Sequence, residues 1–185
     1  MAFRKQGGSL MYVPSDALAG RFVPPPGRMP AFHLVEYAGA LRLCEDATGL
    51  LVGPTNRHLA AAGMYVTNAR GEKYHARAAR AADLRPGQPL RLVPEPDNPH
   101  DPFAIAVHSA DGIGPVGYIN KQKARAWSKL LATGAKWGTI SIRGTGPGQA
   151  CNGLAVLSAS PAVIRHLLSP RPAGLPAPAL LRSAN

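Results

Sequence analysis

Apolar positions in this chain fall into short runs broken by glycine and proline, and no run has the length or the period of a long helix. Residues 32–43, FHLVEYAGALRL, fit a short strand or a helix by spacing; Gly39 interrupts a helix, so the segment reads as a strand or strand pair. Pro54 and Thr55 offer a start signal, Leu59–Ala62 favour helix and Gly63 offers a stop, which predicts a helix over Thr55–Ala62. Arg57 and His58 would lie on its face, either as phosphate contacts or as ordinary solvated residues. Met64–Arg70 alternates as a strand does, Ala76–Asp83 has the propensity of a short helix, and Leu84-Arg85-Pro86-Gly87 turns the chain into a strand at Leu90–Val93. Further strands are predicted at Phe103–His108 and Val116–Ile119, joined through Ala110-Asp111-Gly112. Asn120 caps a helix from Lys121 to about Thr133, closed by Gly134, with Ala124, Trp127, Leu130 and Leu131 on one stripe. Trp137–Arg143 and Leu154–Ser158 read as a last strand pair, and Val163–Leu168 as a brief helical turn.

One stretch does not follow these periods. Between the strands at Leu90 and Phe103, Pro94–Pro102 holds four prolines and three acids, a composition that neither a helix nor a central strand tolerates. Each proline fixes φ near −65° and lowers the loop's entropy, so Asp97, Asn98, His100 and Asp101 are presented in nearly fixed positions. A preorganised polar loop suits a binding site, and a plain turn would be shorter.

Composition sharpens this picture. The 185 residues include 20 glycines and 19 prolines, too many for the whole chain to be packed core. The boundaries read as a Pro/Gly-rich flexible arm over 1–30, an extension of open role over 31–63, a central domain over 64–160 and a flexible Pro/Ala-rich tail over 161–185. Val23-Pro24-Pro25-Pro26 favours an extended, solvated linker over a recognition motif. The net charge is +11, which favours a polyanionic partner, and residues 64–160 hold 12 of the 21 basic residues against 6 of the 10 acidic ones, so the excess is not a tail effect. Cys44 and Cys151 have no metal-type spacing and read as reduced thiols. Arg4 and Lys5 are followed by Gly7-Gly8-Ser9 rather than a secretory apolar run, and no stretch approaches the length of a membrane span, so the expected location is cytoplasmic, with no membrane partner.

The central stretch resembles the HIRAN domain. The elements that carry the resemblance are Glu95-Pro96-Asp97-Asn98-Pro99-His100-Asp101, Ala104-Ile105-Ala106-Val107, Val116-Gly117-Tyr118 and the basic helix from Lys121, within a span of about 64–160. It implies a mainly β protein: a small antiparallel barrel related to OB and SH3-like folds, with two or three short helices and, here, disordered terminal arms. It also implies a module, appended to DNA-remodelling helicases or standing alone in bacteria, that binds single-stranded DNA and captures a free 3′ end. Lys73 and Tyr74 occupy the family's basic–aromatic position, where the ring stacks on a base; the alternative is a tyrosine packed in the core. His100-Asp101 matches the family's aromatic–Asp pair, where tyrosine is more usual first; Asp101 would accept a hydrogen bond from the terminal hydroxyl, hold its own loop in an Asx turn, or do both. Tyr118 supplies the ring of the V-G-Y element, and Lys73, Lys121 and Arg143 are the candidate phosphate contacts, with a solvated lysine the alternative at 121. The family carries an aromatic near its last loop, and Gly148–Gly153 has none.

Enzyme signatures are lacking: there is no GxxxxGK[ST], HExxH or GxSxG, and the histidines do not form a metal-spaced set with the cysteines. The expectation is a non-enzymatic module without cofactor or metal, binding single-stranded DNA or DNA 3′ ends in repair or replication-fork processing, with a helicase or nuclease as a further partner. The rival reading makes the same barrel a protein-interaction module for a proline-rich or acidic partner.

Overall fold

In the computed structural model, residues 11–14, 19–112 and 114–179 are described. Arg4, Lys5 and the Gly-Gly-Ser after them lie outside these residues, as do the ends of the proposed arm and tail. The chain divides into two compact units, Met1–Met64 with Arg165–Asn185, and Tyr65–Ile164.

The first unit is built on a three-stranded antiparallel sheet of β1 (Phe32–Tyr37), β2 (Ala40–Glu45) and β3 (Leu51–Val52), in that order. Residues 32–43 are thus a strand pair, because Ala38 and Gly39 both take positive φ (50° and 69°), the turn whose twist matches a two-residue hairpin. Phe22 stacks on Phe32 with ring centroids 5.3 Å apart, and both rings are buried. A buried and a half-buried acid are satisfied here: Glu45 accepts from Arg21 (2.7 Å) and Thr48 (2.6 Å), and Asp46 accepts from His33 Nδ1 (2.9 Å) and Arg171 Nε (3.2 Å).

The predicted helix over Thr55–Ala62 does not form. Only a single 3-10 turn, Ala60–Ala62, appears before Gly63 at φ 70°. The Asn56 side chain accepts the His58 N–H (3.0 Å), a local turn that competes with helix. Arg57 and His58 therefore present no helix face, and the His58 ring packs 5.7 Å from Phe22. Beyond Pro161, where composition suggests a mobile tail after one turn, the chain forms α3 (Pro161–Leu168), and Arg171 donates to the Asp46 carbonyl (2.8 Å) and to the Pro176 carbonyl (2.6 Å).

The second unit is a closed six-stranded antiparallel barrel. Its strands are β4 (Tyr65–Arg70), β5 (Pro89–Pro94), β6 (Ile105–Ser109), β7 (Pro115–Ile119), β8 (Gly138–Arg143) and β9 (Ala155–Ala159). They run around the barrel as β4-β7-β6-β5-β8-β9, and β9 returns to β4 from Tyr65↔Ser158 to Asn68↔Ala155. Closure leaves no free edge. The short helix α1 (Ala76–Ala81) and the longer α2 (Lys121–Leu131) complete it. Ile105, Val107, Val116, Leu154 and Val156 fill the core, and α2 adds Ala124 and Trp127 from its apolar stripe. Asn120 caps α2 through its side chain on the Gln122 N–H (3.1 Å), as its sequence implies. One glycine is fixed by packing: a Cβ at Gly144 would stand 2.1 Å from the Leu84 carbonyl oxygen. Cys44 and Cys151 remain thiols, burial raising the pKa of the latter. Among the described residues no helix is long and apolar enough to cross a membrane, and no three His, Cys, Asp or Glu side chains cluster as a metal site would require.

Candidate nucleic-acid interface

Three pieces distant in sequence meet at one end of β7. The first follows β4. Gly71 takes φ 83°, which lets the chain wind at once into a 3-10 turn over Glu72–His75, with the Tyr74 N–H donating to the Gly71 carbonyl (2.9 Å). Glu72 clamps this turn by accepting the Leu154 N–H (3.1 Å). Its neighbour Tyr74 projects outward and is 78% exposed, so it is not a core tyrosine, and the Lys73 ammonium lies 4.9 Å from its ring centroid.

The second piece is Val116-Gly117-Tyr118 on β7. A Cβ at Gly117 would stand 3.1 Å from the Arg70 carbonyl oxygen and 3.5 Å from Glu72 Cγ. The glycine is therefore what allows the 3-10 turn to lie against the strand. Next to it, the Tyr118 ring meets the His75 ring, with centroids 5.5 Å apart.

The third piece is the proline loop. Its Glu95 carboxylate accepts the Tyr118 hydroxyl at 3.1 and 3.2 Å and the Asn98 Nδ2 at 2.9 Å. Asn98 Oδ1 in turn accepts the His100 N–H (3.0 Å). A continuous set of contacts thus runs from His75 through Tyr118, Glu95 and Asn98 to His100. Burial, followed by the hydrogen bond to Glu95, raises the Tyr118 pKa, so its hydroxyl stays a donor. The His100 side chain is exposed. Asp101 Oδ1 accepts the Phe103 N–H (2.9 Å), which is an Asx turn, and its other oxygen has no hydrogen-bond partner among the described residues.

The basic residues take different positions. Lys121 opens α2, exposed, without an ion-pair partner among the described residues. Lys123 turns inward: its ammonium donates to the Val66 carbonyl (2.7 Å), and burial lowers its pKa. Arg143 donates from Nε to the Gly153 carbonyl (3.0 Å) and from Nη2 to Asn68 Oδ1 (3.2 Å), bracing the exit of β8 while remaining exposed. Of the residues singled out in sequence, Lys73, Tyr74, Tyr118, His100 and Asp101 lie on connected elements, whereas Arg143 belongs to the β8–β9 end. Sequence reasoning singled out Asn98 as a presented loop residue but gave no role to Glu95 or His75, which join those elements to it. The residues carrying the family motif include Glu95 and Asn98; Asn98 bonds within the loop, but the Tyr118 partner of Glu95 is set by pairing across β6 and β7.

Residues 62–146 match the family model described as the HIRAN domain. This part of the chain is a HIRAN domain. The match ends before β9, the strand that closes the barrel. Among solved structures, the chain is similar to the HIRAN domain of human HLTF, with 18% identity over 57% of this chain and 83% of that one (TM-score 0.42). A protein from Lactobacillus plantarum is similar at 21% identity, over 51% of this chain and 91% of that one (TM-score 0.40). The HLTF HIRAN domain in its DNA-bound conformation shares 18% identity over 57% and 82% (TM-score 0.36). No curated protein matches the chain.

Proposed function

We propose that this HIRAN domain binds single-stranded DNA and prefers a free 3′-hydroxyl end. The observation that carries the reading is the exposed Tyr74 ring, with a lysine at its face, on a turn tied through Tyr118 and Glu95 to the proline loop. An exposed aromatic face beside a cation offers stacking to a base and a charge to its phosphate, and stacking of this kind contributes about 1–3 kcal/mol per base. Membership of the family, with the resemblance of His100-Asp101 to its end-recognising pair, supports the preference for a terminus. Asp101 keeps its Asx turn and still has a carboxylate oxygen to accept a terminal hydroxyl.

Such a module is the recognition part of repair or fork processing, with a helicase or nuclease partner doing the work on DNA. The test is a fluorescence titration of a 3′ overhang, a 5′ overhang and blunt duplex. Tightest binding to the 3′ overhang, weakening steeply with salt, is expected. Equal and weak binding to all three would defeat the reading and favour a protein partner.

A further inference from the structure

Lys121, Arg125 and Lys129 stand at i, i+4 and i+8 on α2 and are all exposed. Residues at this spacing form one stripe along a helix, about 12 Å long at 1.5 Å per residue. The helix contains no acid, and none of the three is ion-paired among the described residues. Like charges four residues apart destabilise a helix, and Lys121 also opposes the helix dipole. Other residues of α2 face the barrel: Ala124 and Trp127 pack in the core, and Lys123 reaches the Val66 carbonyl. The Arg125 guanidinium lies 5.2 Å from the Phe103 ring centroid, at the end of the proline loop, so the middle of the stripe is set beside that loop. Asp97 and Asp101 are the loop's other carboxylates, and Asp101 is engaged with Phe103 N–H.

We infer that this stripe is a track for the sugar–phosphate backbone of the bound single strand, leading away from the Tyr74–Tyr118 site. The inference rests on the DNA-binding reading above and adds a path and a footprint to it. The stripe begins three residues after Tyr118, so a strand whose last bases sit at that site meets Lys121 first and then Arg125 and Lys129. Twelve ångströms accommodates about three phosphates at the 3.4 Å rise of one strand in a duplex, and fewer when the strand is extended. Contacts of this kind position the strand without reading its bases.

The experiment measures the affinity of the full chain for oligothymidylates of two to twelve nucleotides carrying a 3′-hydroxyl, at several salt concentrations. Wild type should gain affinity with length to about six nucleotides and then level off. Arg125→Ala/Lys129→Ala should bind the dinucleotide as wild type does and lose the gain with length, at least about fivefold on the longer strands, with a log–log salt slope smaller by about 1.4. Arg91→Ala/Lys136→Ala removes equal charge from other exposed positions and should leave most of the gain. If wild type reaches full affinity at two or three nucleotides, or both double variants lose the gain alike, the track is overturned while the end site stands. Failure of wild type to bind any of the strands overturns the DNA-binding reading itself.

Discussion

The Tyr118 hydroxyl donates to both oxygens of Glu95, at 3.2 and 3.1 Å, across 23 residues of sequence. An acid inside a basic surface thereby serves to hold a loop and keeps its charge compensated by donors. Glu95→Ala should strip the acceptor from Tyr118 and from Asn98 Nδ2 and lower stability by about 2 kcal/mol, since hydrogen bonds to charged groups are worth about 1.5–3 kcal/mol. Tyr118→Phe should cost about half as much. Thermal melts of both variants, set beside DNA titrations, separate loosened loop from lost contact: Glu95→Ala should weaken binding although it removes a negative charge.

Tyr74 should behave in the opposite way. With its side chain largely in solvent, Tyr74→Ala should leave the melting temperature unchanged and weaken single-strand binding by about 1–3 kcal/mol. Tyr74→Phe, which keeps the ring, should bind nearly as well as wild type. Equal affinities for the alanine variant and wild type would remove the ring from the interface.

Asp101 has two tasks that one substitution divides. Asn in its place still offers an oxygen to the Phe103 N–H, so Asp101→Asn should keep the Asx turn and the stability. Wild type should prefer a 3′-hydroxyl to a 3′-phosphate by at least about tenfold, because a charge-assisted hydrogen bond is exchanged for repulsion between anions. The asparagine variant should lose most of that discrimination. Competition between oligonucleotides differing only at the 3′ terminus measures it, and undiminished discrimination in a folded variant would leave the carboxylate with a structural task alone.

A pH effect on stability should arise at His108, opposite Arg91 in the β5–β6 ladder. Burial and then Arg91 lower its pKa, with Glu95 pulling weakly the other way. The unfolded chain therefore takes up this proton first, near pH 6.5, and stability falls as pH drops below that value toward the folded pKa. His108→Gln should flatten the dependence between about pH 7 and 5. An unchanged pH profile in chemical denaturation would assign the effect elsewhere.

The ends of the HIRAN match bear on how the domain can be cut. A fragment of residues 62–146 omits β9 and leaves β4 and β8 without their shared neighbour. It should fail to show a cooperative melt, whereas residues 62–168 should fold. Circular dichroism melts of both fragments decide it.

Local signals made much of this legible. Asn120 and Gly134 bracket α2, and the prolines of 94–102 separate two β runs, because caps and proline act over a few residues. The helix expected at Thr55–Ala62 failed where a side-chain turn at Asn56 competed with propensity. Glu95 could be quoted within the motif but not assigned, since its partner Tyr118 arrives only after β6 has folded back. Arg171 on Asp46 was illegible for the same reason: two residues so far apart in the chain leave no periodic trace.

Barrel closure also orders events in time. During synthesis β4 is made early and its partner β9 last, so the edge from Tyr65 to Asn68 waits unpaired until the far end of the unit has emerged. An open strand edge is a template for pairing with other chains, and contacts of such long range form slowly. The nascent chain is thus most exposed to aggregation just before Ala155–Ala159 arrives, and a ribosome stalled there would hold an open sheet in place of a barrel.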